Sequence, residues 1–398
     1  MTKIKYILFF FLSIVLFIVI FEFISAITMK FVIGKRIRDY DERMIFSELY
    51  KDIDLETYAQ DYKYFVNNFL YDPYRGFKNP PNFKSTFINT DKYGRRLSSY
   101  ESMDHKADLV IGLFGGSTMF GIGAEGDENT IPGELQKIFN NNCKTNSVKI
   151  IINGVGISNQ TQSMIWLIES LGFQKYDYVI FYDFVNDAFH AYTELFYTSS
   201  LDHELPPRFL TYQYAFSIVP EFKKPKFFRL TKQFEKTNTY QVSKIIYLKL
   251  INILMIRKEQ KSMSKEINYD RTKAKIKRLI KNYAVNMRVI NSLGKEYGFK
   301  SYFIMQPTLF TKKNLSPNEK TIPHLNDKYY INFEKLVYEE SKNFLKHKKS
   351  FKDISDIFDN EKSTIYLDDH HMSSKGNLLV AKKIFQFLES ENENICKD

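Results

Sequence analysis

Cysteine is almost missing from this chain of 398 residues, which has two, Cys143 and Cys396. Their spacing suits no metal and builds no disulfide framework, so they leave the redox compartment open. No internal repeat is visible. No block of one charge is present either, because the formal charge of +11 comes largely from scattered lysines. No nucleic-acid motif accompanies that charge, so nucleic acid is not expected as a partner. A solvated basic face beside an anionic membrane or glycan accounts for it as well. No cofactor and no metal are expected. Against these absences, 44% hydrophobic and 16% aromatic residues supply ample material for a packed core. The length suits one large domain with additions.

The clearest physical signal is the apolar run from Tyr6 to Thr28, interrupted only by serines and Glu22. It is long enough to span a bilayer. A cleaved signal peptide would have a shorter apolar core and a small-residue site, and Ser25-Ala26-Ile27-Thr28 is a poor one. The expectation is an uncleaved transmembrane helix over 6–28, after a tail of residues 1–5. Lys3 and Lys5 flank one side, and Lys30, Lys35, Arg36 and Arg38 flank the other. Literal use of the positive-inside rule puts the large domain in the cytoplasm. A short basic tail before a long apolar run also has the form of an export anchor. The expected side for the main domain is extracytoplasmic.

Residues 29–106 form a juxtamembrane and N-terminal extension. Tyr58, Tyr62, Phe65 and Phe69 recur at helical spacing within a polar-aromatic stretch ended by Pro73, a pattern of packing rather than ligand binding. Asn79-Pro80-Pro81-Asn82 is a turn-rich connector. Phe87 to Asp91 with Tyr93-Gly94 suggests a short extended segment and a turn.

The stretch Leu109 to Gly121, LVIGLFGGSTMFG, organises the rest. A short apolar run bounded by glycines reads as a buried strand. Gly115 and Gly116 let the backbone turn sharply, which leaves Ser117 at the strand's end, where α/β sheets place their sites. A nucleophile and a serine N-cap are both open here. A helix is expected from Ile131 to Phe139. Val148–Ile152 is a second strand ending at Asn153-Gly154-Val155-Gly156, followed by a helix over Gln160–Leu171. A third strand, Tyr178–Tyr182, ends at Asp183-Phe184-Val185-Asn186-Asp187. This alternation predicts an α/β fold, with a parallel sheet and helices on both faces. Ser117, Gly154 and Asn186 then share one sheet edge. Ser301–Met305 is a further strand, leading into Gln306-Pro307 on the same edge. Helices are expected over Arg271–Leu293 and Asn377–Leu388.

Near the other end, Tyr366 to Gly376 reads YLDDHHMSSKG. Asp368 and His371 are three apart, so one turn of chain presents both on one side. A catalytic histidine needs such a carboxylate to hold its tautomer. Asp368-Asp369-His370-His371 also admits a metal cluster or a solvated acidic turn, but no other His or Cys stands at ligand spacing.

GGSTMFG, Gly154, Val185-Asn186-Asp187 and Asp368-x-x-His371-Met-Ser, in this order, resemble the four blocks of the SGNH (GDSL-type) hydrolases. The resemblance covers about residues 108–388 and implies a three-layer α/β/α sandwich with a flavodoxin-like parallel sheet. It implies Ser117 as nucleophile and His371 as general base, oriented by Asp368. The N–H groups of Ser117 and Gly154 and the amide of Asn186 would form the oxyanion hole. The domain would span 107–390, with an aromatic and lysine-rich insertion at about 191–275 and a tail at 391–398. The implied activity is that of a membrane-anchored serine esterase or O-acyltransferase acting on an acylated glycan or lipid of the envelope. The alternative is a non-catalytic envelope protein that binds glycan or serves assembly on the same fold. Two positions depart from the blocks. Phe184 replaces a glycine two before the asparagine, where it could narrow the channel or shift the Asn186 loop, and Gly156-Ile157 stands where a second glycine falls slightly later. The oligomeric state is open.

Overall fold

A computed structural model of the chain describes residues 2–36, 49–50, 53–98, 107–143, 147–197, 237–240, 242–243, 269–392 and 395–396. The chain divides into two compact units. One is Met1–Asp41 with Pro220–Tyr269, and the other is Glu42–Val219 with Asp270–Asp398.

In the first unit, helix α1 runs Thr2–Arg36. Its described side chains are unbroken only over 12–28, and most are exposed apolar groups such as Leu12, Phe17 and Phe23. Among the described residues, no helix is long and apolar enough to cross a membrane, so the fold does not establish the span expected at 6–28. Glu22 is not left bare. Its carboxylate accepts from the backbone N–H and side chains of Asn238 and Thr239, at 2.7–3.0 Å. Residues 198–236, 241 and 244–268 of the expected insertion, including Phe209, Tyr212, Phe216, Phe227 and Phe228, lie outside the described residues.

The second unit is built on five parallel strands: β3 (Leu109–Gly115), β4 (Val148–Gly154), β5 (Tyr178–Asp183), β6 (Lys300–Met305) and β7 (Phe351–Asp353). A small antiparallel pair, β1 (Leu70–Asp72) and β2 (Gly76–Lys78), precedes them. The sheet order is β4-β3-β5-β6-β7. Residues 178–183 are buried throughout, which is why β5 reads as a continuous apolar run with no alternation. Alternation sorts the two faces instead. Ile111, Leu113, Ile180, Tyr182 and Ile304 pack on α4 (Ile131–Asn142) and α9 (Ser374–Glu391). Phe114, Val179, Phe181 and Phe303 pack on α5 (Gln160–Ser170), α6 (Val185–Tyr197), α7 (Tyr269–Tyr297) and α8 (Lys328–Leu345). The result is a sheet between two helical layers. Strands β3 and β5 carry the chain to opposite sides, so their C-terminal ends flank the crevice where such sheets bind ligands.

Two sequence expectations change. Cys143, at the end of α4, and Cys396 are joined in a disulfide with Cα atoms 4.5 Å apart, within the span a disulfide needs. Their separation of 253 positions hid a pairing that only the packing of α9 on α4 creates. Gly154 closes strand β4, in register with Gly115, rather than lying in the loop beyond it. Helix α2 (Leu55–Asn67) and the segment after it give Tyr58, Phe65, Phe77, Phe83 and Phe87 to a cluster that also takes Phe120, Ile122 and Val155.

Candidate active site

Gly115 ends β3, and Gly116 is the N-cap of the four-residue helix α3, Ser117–Phe120. Both glycines are steric requirements. A Cβ at Gly115 would overlap the Tyr182 carbonyl, and one at Gly116 would overlap Asn186 Nδ2. Ser117 therefore opens a helix, and its N–H is among the first-turn donors with no partner inside that helix.

His371 arrives from the loop before α9. Its Nε2 lies 2.8 Å from Ser117 Oγ, although 254 positions separate the two residues. Its Nδ1 lies 2.6 Å from Asp368 Oδ2. Asp368 Oδ1 accepts from the backbone N–H groups of His371 at 2.7 Å and His370 at 3.0 Å. With two backbone N–H groups already donating to it, the Asp368 carboxylate serves as acceptor, and the ring nitrogen facing its Oδ2 is the one that donates. Nε2 of the neutral ring is then left to accept from Ser117. All three residues are buried. The structure thus brings Ser117, Asp368 and His371 into one hydrogen-bonded line.

Asn186, in the first turn of α6, donates its side-chain amide to the Ser158 carbonyl at 2.9 Å. Asp187 beside it accepts from the Gln160 N–H at 3.2 Å. The loop after β4 is thereby tied to the start of α6. Gly154 stands apart from this clamp. Its glycine requirement is packing, because a Cβ there would overlap the Phe120 backbone nitrogen, and its carbonyl accepts from Asn79 Nδ2 at 2.9 Å. Phe184 does not reach into a channel. It is fully buried at φ 106°.

Asp369 takes no part in the line. Its Oδ1 lies 2.8 Å from His370 Nδ1, and the His370 ring sits 4.0 Å from that of His371. Burial works to lower the His370 imidazole, but the carboxylates around it, Asp369 first and then Asp368 and Glu334, together push the value up to about 9. Behind this pair, burial pushes Glu334 of α8 up to about 7, with the Asp369 charge adding to the effect. Asp368, His370 and His371 each offer a metal-ligating atom within 4.8 Å of the others. The Nδ1 atoms of both rings are already committed to Asp368 and Asp369.

Sequence reasoning missed the cation beneath the site. Arg96 is 3% exposed. It donates to Asp127 at 2.6 Å, to the Phe120 and Gly121 carbonyls at 3.1 and 2.8 Å, and to the Phe87 carbonyl at 2.8 Å. It locks the end of the Ser117 helix to the extension. Its only signal in the sequence is an arginine pair after the Tyr93-Gly94 turn.

No family model and no curated protein matches the sequence. Solved structures with similar folds include an acetylxylan esterase from Geobacillus stearothermophilus, here a catalytic mutant (10% identity, 71% of this chain and 95% of that one, TM-score 0.39). Another is a putative lipolytic protein of the G-D-S-L family from Desulfitobacterium hafniense (9%, 70% and 99%, TM-score 0.36). A third is a putative arylesterase from Agrobacterium tumefaciens (11%, 71% and 99%, TM-score 0.36).

Proposed function

We propose that the chain is a serine esterase or O-acyltransferase of SGNH type, working through an acyl-enzyme. The observation that carries this reading is the line Ser117–His371–Asp368, assembled from both ends of the domain with both ring nitrogens of His371 engaged. In the proposed reaction Ser117 Oγ attacks the ester carbonyl carbon while His371 Nε2 takes its proton. Asp368 stabilises the imidazolium that results. The negative oxygen of the tetrahedral intermediate is met by the Ser117 N–H and the Asn186 amide, whereas Gly154, inside β4, turns its polar groups to the outer edge of the sheet. The C–O bond to the leaving group breaks as His371 returns the proton to that oxygen. A second hydroxyl then attacks the acyl-Ser117 with His371 again as base. Water gives hydrolysis and a sugar hydroxyl gives transfer.

The substrate we propose is an acylated glycan or lipid of the cell envelope, and the anchor we propose is the run Tyr6–Thr28. That run has about the twenty residues a span requires, and it falls within α1. The extracytoplasmic side is supported by the Cys143–Cys396 pair, since disulfides persist in oxidising compartments and are rare in the cytosol.

A fluorophosphonate probe should label the wild type and spare Ser117→Ala. Equal labelling of both would overturn the enzymatic reading and leave the non-catalytic platform. Incubation with an activated acetyl ester, with and without candidate glycans, separates acetate release from acetylated sugar by product mass. Alkaline phosphatase fused after Asp398 should be active in whole cells. An inactive fusion beside a fluorescent cytoplasmic reporter would place Ser117 inside.

A further inference from the structure

Three non-glycine residues have positive φ among the described residues: Asn82 at 51°, Ile157 at 62° and Phe184 at 106°. Asparagine tolerates that region, whereas branched and bulky residues are genuine outliers there. The two outliers sit in the two loops that meet through Asn186. Ile157 immediately precedes Ser158, whose carbonyl accepts from Asn186 at 2.9 Å. Phe184 precedes Asn186 by two, and its own carbonyl accepts from the Ala188 N–H at 3.0 Å, the first turn of α6. The peptide at Phe184 therefore sets how α6 starts, and with it where the Asn186 amide lies.

Such a backbone persists only where its surroundings over-determine it. At Phe184 they do. Its ring lies 4.7 Å from the Tyr283 ring and 5.7 Å from the Tyr338 ring, on α7 and α8. Each tyrosine is itself tethered through its hydroxyl. Tyr283 donates to Asp183 Oδ1 at 2.7 Å, one residue before Phe184, and Tyr338 donates to the Gln306 carbonyl at 3.0 Å, just past the end of β6. The aromatic wedge is thus pinned at the C-terminal ends of β5 and β6. On the far side, Asn186 Nδ2 rests where Gly116 has no side chain, one residue from the nucleophile.

We propose that Phe184 is a positioning residue, whose ring, wedged between Tyr283 and Tyr338, holds the start of α6 in a strained backbone and so fixes the Asn186 amide beside Gly116 and Ser117. Glycine would adopt this backbone freely and would also leave it freely. Phenylalanine can occupy it only while the wedge is in place. The inference rests on the acyl-enzyme reading for its catalytic consequence and on packing alone for its structural one.

The test is a double-mutant cycle between Phe184→Ala and Asn186→Ala, assayed with a neutral aryl acetate on the full chain, well below the melting temperature of every variant. Phe184→Ala should lower kcat on the order of 10–100-fold with KM within about threefold, the signature of an interaction made in the transition state. In the Asn186→Ala background the same change should cost less than about threefold. Equal fold-losses in both backgrounds, or an unchanged kcat in a folded Phe184→Ala protein, would overturn the proposal. If that variant does not fold, Phe184→Leu, which keeps apolar volume without the ring, enters the same cycle with the same criteria. Amide hydrogen exchange over residues 185–190 supplies the readout that does not need turnover. It should accelerate in the Phe184 variant while the β3 and β5 amides stay protected. If Ser117 of the wild type proves unreactive, the esterase reading fails, and exchange still decides whether Phe184 holds α6. Unchanged exchange at 185–190 would refute it.

Discussion

Asp368 and Asp369 are adjacent, and each lies within hydrogen-bond distance of a histidine ring, so exchanging each carboxylate for its amide tests which one serves the proposed acyl-enzyme chemistry. In Asp368→Asn the amide oxygen can keep the two backbone donors, those of His371 and His370. The amide nitrogen then faces His371 Nδ1 and is itself a donor, which forces Nδ1 to be the acceptor and puts the ring proton on Nε2. Nε2 can then no longer accept from Ser117. The expected loss in kcat is about 10⁴-fold, by analogy with the same exchange in other triads, or about 5 kcal/mol of barrier. The fold should survive, since volume and backbone bonds are kept. Asp369→Asn removes a partner of His370 only, so kcat at neutral pH should stay within about threefold. Initial rates on an aryl acetate, Ser117 labelling rates and thermal melts on the same samples make the comparison. A larger loss from Asp369→Asn than from Asp368→Asn, with both proteins folded, would refute the assignment of His371 as the base held by Asp368.

Gly116→Ala should reduce kcat by at least tenfold without unfolding the protein, because the new Cβ displaces Asn186 Nδ2, and steady-state rates test this. Arg96→Ala leaves Asp127 and three carbonyls without their buried cation and should cost about 3–5 kcal/mol in denaturant melts. His370 is raised from 6.5 to about 9 on folding, so its contribution is complete below pH 6.5 and is lost as pH rises through 9. At most ~3 kcal/mol is at stake, and the fall in stability between pH 7 and 9.5 should flatten in His370→Gln. Cys143→Ser should cost about 2–5 kcal/mol. Thiol-specific mass tagging of wild-type cells should find both cysteines blocked until a reductant is added.

How much could be read from the chain depends on how far each signal travels along it. Strands β3, β4, β5 and β6 were legible because strands buried on both faces are short apolar runs, and the glycines after β3 and β4 with the asparagine after β5 marked the edge where Ser117 and Asn186 meet. Strand β7 has three residues, of which Phe351 is buried, too short to carry a period. Phe184 was legible as a departure but not in its consequence. A pattern shows that glycine is missing, whereas only packing shows two tyrosines, 99 and 154 positions away, that let phenylalanine hold glycine's backbone. The same holds for Arg96, whose partners run from Phe87 to Asp127, and for Cys143 with Cys396. Each is a long-range contact between residues whose local sequence is ordinary. This separation bears on the chemistry. Ser117, Asp368 and His371 are residue types that the proposed reaction needs, and so they stand out in the sequence. The groups around them, Ser158 and Phe184 at Asn186 and Arg96 at the end of the Ser117 helix, need only the right shape in the right place. A homologue could replace the Phe184 wedge by glycine and a different α7–α8 contact without touching a reacting atom. Retained Ser117 and His371 therefore do not by themselves guarantee an active site, and the geometry around Asn186 is the better discriminator between a working enzyme and a platform that has kept the fold.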